Sequence, residues 1–121
     1  MIYESQLTRE ASYPDAHQKF HDDEVVLGKT LQSPLAPVVL AEMHYLEAVP
    51  TAKIGTFYTD WIHPSEKGYY LAAYCIYSAI TGYSPVGLAH PKGISVEDAK
   101  ALQEAAWKAV RETNPDLKPW K

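Results

Sequence analysis

The sequence predicts an α/β domain, rich in helix, with a short parallel sheet between helical layers. Three observations lead there. "APVVLAE", from Ala36 to Glu42, is a short β-branched run behind prolines, and it fits a buried strand of a parallel sheet. "IYE", from Ile2 to Glu4, reads as the tail of an earlier strand. Two stretches downstream carry helix start and stop signals: one opened by Pro64 or Ser65 and closed by Gly82, and one from Ser95 onward.

Each element has its own justification. The segment from Leu7 to Asp23 is polar, contains Pro14 and two histidines, and reads as loop with at most a short helical turn. "DDEVVLGKTLQ", Asp22 to Gln32, places acids ahead of Val25, Val26 and Leu27, which suggests a short helix weakened by Gly28. "MHYLEAVPT" is helical until Pro50 stops it. "KIGTFYTDWIHPS" then reads as loop or a short extended piece. In the next helix Leu71, Ala72, Tyr74, Cys75, Ile76, Ala79 and Ile80 cover nearly the whole circumference, the pattern of a buried helix. The last helix opens at Ser95 with Asp98 three residues on, a capping box with Asp in place of Glu. Val96, Ala99, Leu102, Ala106 and Val110 give it one apolar stripe. "TNPDLKPWK" is a proline-broken tail.

Composition narrows the function classes. A chain of 121 residues suits a single domain spanning 1–121. Its net charge is -4, and its Lys and Arg residues are scattered, so nucleic acid is not an expected partner. The apolar run "YYLAAYCIYSAI" is too short and too rich in tyrosine to span a bilayer, so no membrane partner is expected either. "MIYESQLTRE" lacks the basic and apolar regions of a signal peptide, which leaves the cytoplasm as the default compartment. One cysteine, Cys75, excludes an internal disulfide and a thiolate-rich zinc site. In its apolar run it reads as a buried structural thiol.

The chemistry concentrates in "TDWIHPSEKGYY", Thr59 to Tyr70. Asp60 precedes His63 by three residues, and Pro64 keeps His63 out of helical geometry. If the loop turns back on itself, the carboxylate fixes the tautomer of the imidazole and stabilises its protonated form, leaving the other ring nitrogen for a substrate. The alternative is that Asp60 merely ties the loop through backbone hydrogen bonds.

"DWIHPSEKGYYLAAYCIYSAITGYSPVGL", Asp60 to Leu88, resembles the last block of the SGNH (GDSL-type) hydrolases, with its Asp-x-x-His-Pro-Ser segment, apolar helix and "SPVGL"-like turn. "IYES" resembles the end of that family's fourth strand, "LAPVVLAE" its fifth, and "SVEDAKALQEAAWKAV" a helix that closes many such chains. The resemblance is specific around Asp60 to Leu88 and loose elsewhere. It implies a partial flavodoxin-like three-layer fold and hydrolysis of small acyl esters. His63 would be the general base, Asp60 its orienting acid, Trp61 and Ile62 the variable positions between them, and Ser65 a helix cap. No cofactor or metal is implied.

The family's Gly-Asp-Ser nucleophile segment and its oxyanion-hole glycine and asparagine cannot be placed, so the chain reads as the last third or half of such an enzyme. Losing a triad nucleophile costs about 10⁶ in turnover and leaves about 10³ to 10⁴ over water. Losing an oxyanion donor costs about 10² to 10³ more. Ser5, Ser12, Ser33, Ser65, Ser78, Ser84 and Ser95 are the serines available to substitute, and none sits in a strand–turn–helix elbow. A sheet of two strands would also leave an edge unpaired, which predicts a homodimer or larger assembly.

Other functions stay open beside a weak esterase. One is a non-catalytic remnant acting as an interaction module or as half of a split enzyme. Another is a helical metal-binding module through His17 and His21, four residues apart, against which stands a plain solvated segment. Glu42, His44 and Glu47 form a weaker metal candidate, and His90 reads as a loop residue. Tyr69, Tyr70, Tyr74, Tyr77 and Tyr83 read as core tyrosines in preference to a sugar platform. Trp107 and Trp120 are expected to pack and anchor the last helix and tail.

Overall fold

The computed structural model describes residues 2–3, 15–60 and 63–120. Ser5, Ser12, Trp61 and Ile62, and the first half of the expected loop before Asp15, lie outside them. In chain order the elements are β1 (Ile2–Tyr3), α1 (Asp15–Leu31), β2 (Leu35–Ala36), α2 (Val38–Ala48), a 3-10 turn (Ile54–Phe57), α3 (Glu66–Thr81) and α4 (Val96–Thr113).

The fold class therefore needs correction. The chain forms a helical assembly, with α2 and α3 both packed against α4 and α1 laid on α2. The only strand pairing among the described residues is parallel and two residues long, with Ile2 opposite Leu35 and Tyr3 opposite Ala36. The described residues show no three-layer α/β fold of flavodoxin or SGNH type. The reason lies in "APVVLAE". Only its first residue is in β2; Val38 to Glu42 belong to α2. Val38, Val39, Ala41 and Tyr45 are all buried, so α2 faces apolar neighbours on several sides and packing overrides β-propensity.

Asn114, just after α4, takes over part of the missing sheet. Its side-chain amide donates to the Leu35 carbonyl at 2.8 Å, and its oxygen accepts the Leu35 N–H at 2.9 Å. The strand edge expected to recruit a second copy is thus occupied, at Leu35, by a side chain from the same chain.

The two strongest helix signals produce caps of the expected kind. Ser65 is extended, and its hydroxyl accepts the Gly68 N–H at 3.2 Å. Gly82 closes α3 with φ 72°, a left-handed conformation that favours glycine, and its N–H donates to Ser78 O. Ser95 caps α4 by accepting the Asp98 N–H at 3.1 Å.

Two stripes differ from their expected faces. Val96, at the first position of α4, is 68% exposed, while Ala99, Leu102, Ala106 and Val110 are buried. Ile80 and Tyr69 leave α3 toward solvent, so that helix is buried on one side and not all round. The core between α2, α3 and α4 includes Leu71, Cys75 and Leu102, with the Tyr45 and Phe57 rings edge to face at 5.4 Å.

The loop between α3 and α4 is fastened from within. Gln103 on α4 accepts the Gly87 N–H and donates to Leu88 O, and Tyr74 donates to Ala89 O. Among the described residues no helix is long and apolar enough to cross a membrane.

Candidate functional site

The 3-10 turn delivers Tyr58 in extended conformation, and Tyr58 forms an antiparallel bridge with Pro64. This closes a loop whose neck is Tyr58 and Pro64 and whose tip holds Asp60 and His63. The neck is stitched further. Thr59 N–H donates to His63 O at 2.9 Å, and Ser65 N–H donates to Phe57 O at 2.8 Å. The Ser65 hydroxyl, besides capping α3, donates to Thr56 O at 2.7 Å. Gly68 lets the first turn of α3 press on this strand, since a Cβ there would lie 2.3 Å from Phe57 O. The helix end and the loop are one rigid mount.

At the tip the two readings of Asp60 coexist. Its Oδ1 accepts the backbone N–H of His63 at 2.8 Å, which turns the loop. Its Oδ2 accepts from His63 Nδ1, also at 2.8 Å. That bond places the proton on Nδ1 and leaves Nε2 as the basic nitrogen. The side chains are 69% exposed for His63 and 55% for Asp60, so an external molecule has open access to the pair. A cleft of about 200 Å³ borders Asp60 and is lined by Gly55, Tyr58, Thr59 and Asp60; His63 is not part of its lining. An imidazole so held can take a proton from a hydroxyl or a water and return it to a leaving group.

No described serine hydrogen-bonds to His63. Ser65 uses its hydroxyl on Thr56 O and Gly68 N–H. Ser33 donates to Pro34 O, Ser84 accepts from Val86 N–H, Ser95 caps α4, and Ser78 is buried in α3.

The metal candidates are not assembled. No group of three or more potential ligands occurs among the described residues. His17 and His21 share a face of α1, and that face is not solvated: both side chains are buried. α1 starts at Asp15, earlier than its polarity suggested, because these histidines point inward. His17 Nε2–H donates to Glu42 Oε2 at 3.3 Å. Glu42 is fully buried and also accepts from the Tyr58 hydroxyl, 3.3 Å from each of its oxygens. His44 turns away from Glu42 and meets Glu112 on α4 at 2.8 Å, with Glu47 at 3.7 Å. His90 Nδ1–H donates to Pro91 O.

Sequence reasoning missed the Glu42 cluster. A signal existed: a lone carboxylate closing the run "PVVLA" must find donors once that run is buried.

The aromatic residues divide. Tyr74 is buried and Tyr69 and Tyr83 are exposed, so they form no common platform. Trp107 lies under the Arg111 guanidinium at 5.3 Å. Trp120 is 60% exposed, and the tail is held by its backbone instead, with Trp120 N–H on Thr81 O and Trp120 O accepting from Tyr83.

No family model matches the chain, and neither a curated protein nor a solved structure matches it.

Proposed function

We propose that the chain carries the general-base half of an ester-hydrolysing site. His63 is the base and Asp60 its orienting carboxylate. The observation that supports this reading is the 2.8 Å bond from His63 Nδ1–H to Asp60 Oδ2, on a braced loop with Nε2 left to the reactant. The resemblance of Asp60 to Leu88 to the last block of SGNH hydrolases supplies the substrate class, small acyl esters.

Nε2 removes the proton of an attacking hydroxyl as its oxygen bonds to the ester carbonyl carbon. Asp60 stabilises the resulting imidazolium. The imidazolium then protonates the departing alkoxide, and the C–O bond breaks. The attacking oxygen is that of water, or that of a serine outside the described residues; in the second case a water, deprotonated by Nε2, then attacks the acyl-serine, and the imidazolium returns the proton to the serine oxygen as the acid leaves. General-base assistance of this kind contributes about 10² to 10⁴ in rate.

A second reading has its own support, since no described serine reaches His63. In it the dyad is one half of a split enzyme, or a remnant in an oligomerising module, and acts only beside a partner carrying the nucleophile.

One assay separates these readings. The full chain is given a short-chain nitrophenyl ester beside its His63→Ala variant and is treated separately with a fluorophosphonate. Turnover lost in the variant, with a covalent mass shift in the parent, indicates a serine within the chain. Turnover lost without a mass shift indicates water attack. No turnover above buffer in the parent favours the split or remnant reading. Equal turnover in parent and variant removes His63 from the chemistry.

A further inference from the structure

We infer that Glu42 is a positioning residue for the Asp60–His63 pair and acts through Tyr58. The inference rests on the proposed base role of His63 for its functional meaning, though its geometry stands apart from any activity.

Tyr58 is the neck of the loop. Its backbone is extended and bridged to Pro64, so Asp60 and His63 both lie between the two halves of the neck. Its side chain runs inward and is buried. There the hydroxyl donates to both oxygens of Glu42 on α2, and His17 on α1 donates to the same carboxylate. The neck is thereby tied to two helices that hold no part of the dyad.

Each of these contacts is 3.3 Å, at or just beyond the usual limit, so none is strong alone. Their force comes from burial. A fully buried carboxylate cannot be rehydrated when a donor leaves it, so moving Tyr58 away costs Glu42 a donor that water does not replace. The Tyr58 ring is thus fixed in angle as well as in depth, and the loop tip two residues further on inherits that fix. Asp60 can then meet His63 Nδ1 and His63 N–H together, which requires the turn to be held closely.

The test reads the His63 ring in place of activity. Nitrogen–proton correlation spectra of the ¹⁵N-labelled full chain report which ring nitrogen carries the proton when the imidazole is neutral. In the parent chain His63 is expected in the Nδ1–H form. In Tyr58→Phe, which removes one hydroxyl and keeps the ring, and in Glu42→Gln, His63 is expected to shift toward the Nε2–H form. His44, held by Glu112 on α4, is expected to stay unmoved in the Tyr58→Phe spectra. A purely structural role for Glu42 would lower stability without changing the His63 tautomer.

An unchanged His63 tautomer in the folded variants overturns the inference. If Glu42→Gln does not fold, Tyr58→Phe decides alone. A tautomer shift in a chain that hydrolyses no ester supports positioning and counts against the hydrolase reading, so the two fail separately. Where ester turnover is present, Tyr58→Phe is expected to lower kcat with KM unchanged.

Discussion

Among the described residues a histidine meets a carboxylate in three regions, and the same chemical pair does different work in each. His17 and Glu42 are fully buried between α1 and α2. His44, 11% exposed, bridges from α2 to Glu112 on α4. His63 and Asp60 stand at a loop tip, mostly in water. Burial decides the role. The first pair cannot exchange a proton with an outside molecule, so its consequence is mechanical. The last has little to offer stability, because solvent screens it, yet it is the pair an external molecule can reach.

The contrast breaks first, if it breaks, on stability. Glu42→Ala is expected to cost about 3 kcal/mol, the low end for removing one partner of a buried pair, since the imidazole left behind has a neutral form. Asp60→Ala is expected to cost less than about 1 kcal/mol. Urea unfolding of both variants checks this, and similar losses would erase the distinction between the two regions.

A smaller effect sharpens the account of the loop mount. Gly68→Ala places a methyl group 2.3 Å from Phe57 O, where backbone and not a flexible side chain must yield. Overpacking of this kind costs about 1 to 3 kcal/mol, more than the roughly 1 kcal/mol that alanine gains over glycine in a helix. The variant is expected to lower the unfolding midpoint. Because Phe57 O also accepts the Ser65 N–H, it is expected to speed amide exchange at Ser65 too. An unshifted midpoint would mean that the loop gives way freely.

The smallest effect is electrostatic. Lys67 at the start of α3 donates to Asp98 on α4 at 2.8 Å. That hydrogen bond holds its ammonium above the ordinary value of 10.5. A raised folded-state value means that the contribution is complete below about pH 10.5 and is lost as pH rises through the folded value. Asp98→Asn is expected to cost about 0.5 kcal/mol at neutral pH, as partly exposed pairs do, and less once Lys67 is deprotonated. Urea titrations on both sides of that transition measure it.

What could be read from the sequence follows the same division between polar groups outside and polar groups inside. Ser65, Gly82 and Ser95 were legible as caps, because capping is local chemistry written in adjacent residues. The spacing of Asp60 and His63 was legible for the same reason: a turn of three residues brings them together. α1 was obscured because His17 and His21 look like solvent-facing residues until a buried partner 25 positions away is known. The strand expected over "APVVLAE" became α2 because Val38 and Val39 are enclosed by other helices, and tertiary burial hides the period that distinguishes helix from strand. Val96 was assigned to the stripe by spacing, although the first residue of α4 lies above the contact with its neighbours and faces water.

Whether exposure decides which histidine–carboxylate pair performs the proposed base chemistry is tested most directly by comparing two exchanges in one assay, one at His44, 11% exposed, and one at His63, 69% exposed. The parent chain, His44→Gln and His63→Gln are given the same short-chain nitrophenyl ester under identical conditions. The account expects turnover above buffer in the parent and in His44→Gln, and loss of about 10²-fold or more in His63→Gln. Equal rates in all three proteins, or a loss shared by both variants, would contradict it.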